Sequence, residues 1–186
     1  SLIYSYYLAK QNGKKLIILI DEPELHLHPD IQKKFVDFLL EISKDFQVIL
    51  TTHSPILVKQ IMYNDNIKSI VINKDKTISS INNLKLSFLS SNEINYVAFG
   101  LATEEYHNEL YEELKDLYGA SANYKNFDNN FFVTFKGEEK KFPWKNHLNE
   151  VSLHTYVRNQ IHHRKDNGEA SYNDLKMSID FMRKCL

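Results

Sequence analysis

A chain of 186 residues, 42% hydrophobic and 25% charged, carries enough apolar material for one medium domain or one and a half small ones, which argues against a disordered chain. Its 23 basic and 24 acidic residues nearly cancel, so global charge does not point to nucleic acid. No apolar run reaches membrane-spanning length, no secretory leader is visible, and the single cysteine, Cys185, excludes an intrachain disulfide and fits a reducing cytoplasm.

Ser1 to Lys10 reads as a helix, with Leu2, Ile3, Tyr6, Tyr7 and Leu8 apolar and Asn12-Gly13 as its stop. Five aliphatic residues follow, Leu16 to Ile20. The run is too short and too β-branched for a helix, and it predicts a central strand buried on both faces, as in a parallel sheet. Asp21 and Glu22 stand at its C-terminal end, where ligands bind in open α/β sheets. Adjacent carboxylates there are costly unless a cation or a proton transfer uses them. Pro29-Asp30 opens a helix whose Ile31, Phe35, Phe38, Leu39 and Ile42 form an apolar stripe. His26 and His28, two residues apart in the intervening loop, do not make a metal-site spacing. Gln47 to Thr52 is a second strand-like run, ending in His53-Ser54-Pro55. Ser54 then caps a third helix with Pro55 at its first position. Lys68 to Asn73 and Lys76 to Asn82 read as a hairpin turning at Lys74-Asp75.

Asp21-Glu22-Pro23-Glu24-Leu25-His26-Leu27-His28-Pro29 resembles the Walker B segment and D-loop of bacterial P-loop ATPases of the ABC type, in the version found in OLD-like and SMC-related proteins. Thr51-Thr52-His53-Ser54-Pro55 resembles the switch segment of the same family, and the spacing of strand, Asp-Glu, helix, strand, His agrees. The resemblance implies an α/β fold: the C-terminal half of an ABC-type P-loop core over residues 1–84, a parallel sheet with helices. It implies ATP and Mg²⁺ as cofactors, Mg²⁺ held through water by Asp21. It also implies Glu22 as the carboxylate that polarises the attacking water, His53 as the group touching the γ-phosphate, and a homodimer closed around ATP. Phosphoryl transfer needs these parts. The five glycines include no Gly-x4-Gly-Lys-Ser/Thr loop, and no Ser-Gly-Gly signature is present. The chain therefore reads as the C-terminal part of a longer ATPase, cytoplasmic and engaged in DNA metabolism or phage defence, with the P-loop half as its missing partner.

Residues 85–186 read as a mostly helical accessory region with an aromatic insert at 120–147. Ser90 and Glu93 suggest a capping box, and Thr103 caps a longer helix that Gly119 ends. That helix has an acidic outer face read as solvated. In the insert, Phe131 to Phe135 and Glu139 to Phe142 suggest a hairpin about Gly137-Glu138. Its aromatics read as core; with Lys136, Lys140, Lys141 and Lys145 they suit a single nucleic-acid strand instead. Ser152 to Arg164 predicts a further helix, and Ser171 caps a last one.

Arg158-Asn159-x3-His163 resembles the Arg-x4-His motif of HEPN-type ribonucleases, in a chain with only three arginines. Between Lys136 and Lys165 seven basic residues face three acidic ones. The resemblance implies a metal-independent RNase site of Arg158, Asn159, His162 and His163. On a continuous helix Arg158 and His162 share a face, whereas His163 lies about 140° round from Arg158. Either His162 is the partner, or the helix breaks, or a second protomer completes the site. The tail's ordering is also similar to that of bacterial defence ATPases, where it implies a docking surface for a separate effector nuclease. A Toprim site is disfavoured, because no Glu-Gly or Asp-x-Asp element follows Leu84.

Overall fold

The computed structural model describes residues 2–13, 15–62, 64, 66–73, 75–81, 84–144 and 149–186. The chain divides into two compact units, Ser1–Ser80 and Ile81–Leu186.

The first unit is built on two parallel strands, β1 (Ile17–Asp21) and β2 (Gln47–Thr51), in register from Ile17 opposite Gln47 to Asp21 opposite Thr51. The connection between them is α2 (Pro29–Ser43), entered through a 3₁₀ turn at Pro23–His26. Period two sends Ile18, Ile20 and Val48 to one face, where they pack with Tyr6 and Ala9 of α1 (Leu2–Gln11), Ile42 of α2 and Phe46. Lys10 and the Tyr6 hydroxyl both reach the Asp45 carboxylate, at 2.6 and 3.0 Å, and so clip α1 to the turn after α2.

The other face corrects the expectation of a strand buried on both sides. Ile17 and Leu19 are 65% and 74% exposed, and Ile49 beside them is 48% exposed. The aliphatic run is long enough for two covered faces, but within the described residues α1 and α2 cover only one. Of the expected α2 stripe, Phe38, Leu39 and Ile42 face the core, and only its N-terminal end is shifted. Gln32, Val36, Leu39 and Ile42 are buried while Ile31 is exposed. After β2, α3 (Pro55–Ile61) buries Leu57 and Val58. The hairpin that follows keeps only two residues in each strand, β3 (Val71–Ile72) against β4 (Ile78–Ser79). Lys74 and Asn82 of the expected hairpin lie outside the described residues.

The second unit is mostly helical. Ser90 caps α4 (Ser91–Phe99), accepting from Asn92 and Glu93 amides. Glu93 does not close the expected capping box. Its fully buried carboxylate instead accepts from the Lys85 and Leu86 amides, the Tyr106 hydroxyl and Arg183. Thr103 caps α5 (Glu104–Gly119). Gly119 is not a left-handed stop: a Cβ there would stand 2.8 Å from Phe127 Cδ2, so the glycine permits close approach of an aromatic ring. The acidic face of α5 is partnered rather than merely solvated. Glu109 holds Ser90 and Asn92, Glu112 accepts from Tyr124, and Glu113 accepts from Ser87.

The aromatic insert forms no hairpin at Phe131 to Phe135. After the short α6 (Tyr124–Phe127), Asp128–Phe135 winds as a π-helix, with Lys136 N donating to Phe131 O five residues back. The wider turn keeps Phe127, Phe131 and Phe132 on one side, where all three are buried against Tyr106, Leu110, Tyr111 and Leu114. The hairpin lies later, β5 (Phe142–Trp144) antiparallel to β6 (Asn149–Val151). α7 (Leu153–His162), α8 (Arg164–Asn167) and α9 (Tyr172–Cys185) follow, with Val157, Leu175, Ile179 and Met182 completing the core. No helix among the described residues is long and apolar enough to cross a membrane.

Candidate functional site

The C-terminal edge of the parallel pair gathers the polar residues of the first unit. Asp21 closes β1 directly opposite Thr51, whose hydroxyl donates to Asp21 Oδ1. One carboxylate oxygen is thereby oriented and the other is left open at an exposed edge. The next residue turns sharply. Glu22 sits at φ 41°, ψ 58°, a left-handed conformation that a non-glycine residue seldom takes and that costs of order 1–3 kcal/mol. Pro23 behind it disfavours right-handed helical backbone at Glu22, and the Glu22 amide is tied to Thr51 O at 3.1 Å. The strained turn aims the Glu22 carboxylate across to the second strand, and Oε1 stands 3.3 Å from His53 Nε2.

Glu24 supports this pair, and the motif reading passed it over. Its Oε1 accepts from the Thr52 hydroxyl at 2.8 Å and the His53 amide at 2.6 Å, so the 3₁₀ turn after β1 grips the loop after β2. The other oxygen, Oε2, is buried without a hydrogen-bond partner among the described residues. Beneath it, Ser54 Oγ donates to Gln32 Oε1 at 2.8 Å and accepts from the Leu57 amide, fixing the start of α3 against α2. His28 is a helix cap, its Nδ1 accepting from the Asp30 amide at 3.4 Å. The His26 side chain lies outside the described residues. No group of three or more His, Cys, Asp or Glu side chains that could hold a metal ion occurs among the described residues. Asp21 therefore offers a single-carboxylate anchor, the donor set that suits Mg²⁺ shared with waters and phosphate oxygens rather than a closed protein cage.

The second unit resolves the geometry left open for Arg158 and His163. α7 ends at His162, and His163 leaves helical backbone at φ −134°, ψ 52°. That break brings Arg158, Asn159 and His163 to one cavity of about 460 Å³, which Tyr124, Lys125 and Trp144 also line. His162 stays on the helix and lines a second surface cavity with Ile161 and Arg164, and His163 lines that cavity as well as the first. Partial burial, then the neighbouring Arg158 and His163 charges, lower the His162 pKa. Three of the four sequence candidates thus meet within one protomer. Tyr124 and Trp144 belong to the aromatic insert at 120–147, whose rings read as core or as stacking on a nucleic-acid strand, whereas Lys125 carries no motif. Deeper in the unit, His107 and His154 share the Ser178 hydroxyl in the core, away from either cavity.

The first unit is thus a parallel α/β layer with carboxylates at its C-terminal edge, and residues 1–58 match the family model of the AAA ATPase domain. The chain is 45% identical over 49 residues to the Septu protein PtuA of Bacillus thuringiensis, covering 26% of this chain and 12% of that protein. It is 51% identical over 39 residues to the retron Ec83 probable ATPase of Escherichia coli, covering 21% and 7%. An uncharacterized protein of Methanocaldococcus jannaschii is 36% identical over 53 residues, 28% of this chain and 14% of that one. These matches span at most 14% of the length of the three relatives.

Proposed function

We propose that this chain is part of an ATPase acting in phage defence, with Asp21, Glu22 and His53 as the catalytic edge of an ABC-type core. The observation that carries the reading is the parallel pairing of β1 and β2, with His53 Nε2 3.3 Å from Glu22 Oε1 at one strand end. The likeness to the AAA ATPase domain and to the Septu and retron proteins supports it. Asp21 would hold Mg²⁺ through water, and the ion supplies charge neutralisation at the phosphates. Glu22 accepts the proton of the attacking water, the turn at φ 41° fixing where its carboxylate points. His53, its amide held by Glu24, donates toward the γ-phosphate. The phosphate-cradling loop, absent from this sequence, comes from another segment or partner. The uncovered Ile17, Leu19 and Ile49 face is where further sheet or helix packs. Two such cores close around ATP as a homodimer.

The test is Glu22→Gln in the ATPase assembled with its phosphate-binding loop. The amide keeps shape but cannot accept a proton, so turnover falls by roughly 10²–10⁴-fold while ATP is retained. Turnover within a few-fold of the parent overturns the assignment.

A second reading concerns the tail: Arg158, Asn159 and His163 cleave RNA without metal. His163 takes a proton from a ribose 2′-OH, the 2′-oxygen bonds to the adjacent phosphorus as the P–O5′ bond breaks, the 5′-oxygen leaves as a hydroxyl with a proton from water, and Arg158 stabilises charge on the phosphate. Its support is the break after His162, which lets one chain present all three to one cavity. Cleavage of single-stranded RNA in EDTA by the chain, lost in Arg158→Ala, is the expected result. An inert chain that retains a co-expressed nuclease favours a docking role instead.

A further inference from the structure

The cavity that Arg158 and His163 share carries positive charge and, among the described residues, no carboxylate on its wall. The Arg158 guanidinium lies 3.7 Å over the Tyr124 ring and makes no hydrogen bond or ion pair among the described residues. Its Nε is shut away from solvent without a partner. Taking part of a guanidinium out of water costs free energy that a ring face offsets only in part. Glu112 accepts from the Tyr124 hydroxyl at 3.1 Å, so the ring is fixed and holds the guanidinium in place. Lys125, the next residue of α6, also lines the cavity, and its hydrogen-bond partner among the described residues is neutral, the Asn149 side-chain carbonyl at 3.1 Å. On the wall, Asn159 is 4% exposed and its side-chain amide has no hydrogen-bond partner among the described residues. His163, turned off the helix by the break after His162, brings an imidazole to the same space. Two cations, an amide and an imidazole with no acid among them form a donor set for an oxyanion. The charge says which oxyanion. A phosphodiester carries one negative charge, whereas a terminal phosphate carries about 1.5 to 2 at neutral pH, the amount that Arg158 and Lys125 offset together.

We propose that this cavity binds a phosphate dianion, free or at the end of a phosphomonoester, Arg158 and Lys125 pairing its charge while Asn159 and His163 donate to its remaining oxygens. The volume of about 460 Å³ exceeds what a phosphate fills and leaves room for the alcohol of a monoester. The site shares Arg158, Asn159 and His163 with the RNA-cleavage reading and uses none of its chemistry: no bond is cut, and the ligand is a terminal phosphate rather than the interior of a strand. Lys125 joins the site as a ligand-binding residue, and one protomer is sufficient.

The probes are inorganic phosphate, ribose 5-phosphate as a monoester and dimethyl phosphate as a diester, each titrated into the chain by calorimetry and phosphorus NMR near neutral pH at constant ionic strength. One saturable site with a dissociation constant of roughly 0.05–5 mM is expected for a dianion, the strength of two charge-assisted hydrogen bonds. Dimethyl phosphate, with one charge fewer, binds at least about tenfold more weakly. Arg158→Gln weakens phosphate binding by roughly 10–150-fold and Lys125→Ala by about tenfold, while Lys125→Arg restores most of it. Lys184→Ala, the same loss of charge on the exposed last turn of α9, leaves affinity unchanged. Lys125 and His163 are exposed, so Lys125→Ala and His163→Gln carry the test should Arg158→Gln unfold the unit. Tighter binding of ribose 5-phosphate identifies a monoester end as the ligand, and binding of inorganic phosphate alone identifies the free ion; either supports the site. No saturable binding of either dianion, equal binding of dimethyl phosphate, or equal weakening by Lys125→Ala and Lys184→Ala overturns it. Single-stranded RNA in EDTA is scored separately. Phosphate bound with RNA left uncut ends the cleavage reading and leaves the anion site standing. RNA cut by a chain that binds no phosphate ends the anion site and leaves the cleavage reading.

Discussion

Lowering the pH from 7.5 to 5.5 should destabilise the second unit steeply, through two histidines in its core. His107 on α5 and His154 on α7 are 0% and 1% exposed, and each has a ring nitrogen 2.8 Å from Ser178 Oγ on α9. The hydroxyl has one proton for two rings, so at least one ring donates to Ser178 Oγ, and burial keeps both rings neutral. His107 Nδ1 and His154 Nε2 are buried without hydrogen-bond partners. Glu138 Oε2 lies 3.7 Å from His154 Nε2, beyond hydrogen-bond reach, and does not offset the burial. Phe132 and Phe181 pack on the His154 ring, with Tyr111 stacked beside His107. Burial thus pushes both pKa values down to about 3 from the ordinary 6.5, and at His107 the repulsion that a protonated His154 or His162 would bring, with the Arg158 charge, acts in the same direction. The unfolded chain takes up protons below pH 6.5 while the folded one refuses them until about pH 3. The stability is therefore fully present above about 6.5 and lost as pH falls through that window. At pH 5.5 each histidine costs about 1.4 kcal/mol, so the pair removes roughly 3 kcal/mol. Urea unfolding followed by Trp144 fluorescence and circular dichroism at pH 7.5, 6.5 and 5.5 measures it. His154→Phe, whose ring suits the stack on Phe132 and Phe181, should halve the pH slope whatever it does to absolute stability. A free energy that is flat or rises on acidification, or an unchanged slope in His154→Phe, refutes the reasoning.

Gly119→Ala should destabilise by about 1–3 kcal/mol, because the new methyl meets the buried Phe127 ring at 2.8 Å. The usual helix preference for alanine over glycine works in the opposite sense, so stabilisation in a thermal melt would contradict the packing. Arg183→Met leaves the fully buried Glu93 carboxylate without its cation and should cost roughly 3–5 kcal/mol by urea titration. The double change with Glu93→Gln should cost less than Arg183→Met alone, and an equal or greater loss would show that the ion pair is not the cause. The chain by itself, lacking a Gly-x4-Gly-Lys loop, should not bind ATP in a calorimetric titration at micromolar concentrations. Micromolar affinity would mean that the phosphates are held by groups outside the proposed edge.

The strand, helix, strand order of the first unit was legible because its signals are local. An aliphatic run ended by Asp21-Glu22, and a second ended by His53-Ser54-Pro55, need no tertiary information to mark strand ends. The N-caps at Ser54, Ser90, Thr103 and Ser171 were equally readable, since a cap bonds an amide two or three residues away. What the strands pack against is another matter. Five aliphatic residues suit two covered faces, and only the placement of α1 and α2 leaves Ile17, Leu19 and Ile49 outward.

Long-range and conformational facts were decided by the tertiary structure alone. Glu24 grips the His53 loop across 29 residues, and no spacing rule announces a carboxylate whose partner lies on another strand end. The left-handed turn at Glu22 is held by Thr51 O and followed by Pro23, and it sets where the carboxylate points. In the second unit, helical periodicity set Arg158 and His163 about 140° apart. The backbone break at His163 put them on one cavity, because a helix that stops is no longer bound by its own period. Sequence by itself thus determined the strand, helix, strand order of the first unit, the N-caps and the acidic strand end, all products of neighbours in the chain, whereas the π-helix at Asp128–Phe135 was not among them. The pairing of Glu22 with His53, the buried Ser178 histidines and the aromatic, cationic cavity arise between residues 24 to 71 positions apart, where only packing chooses the partner.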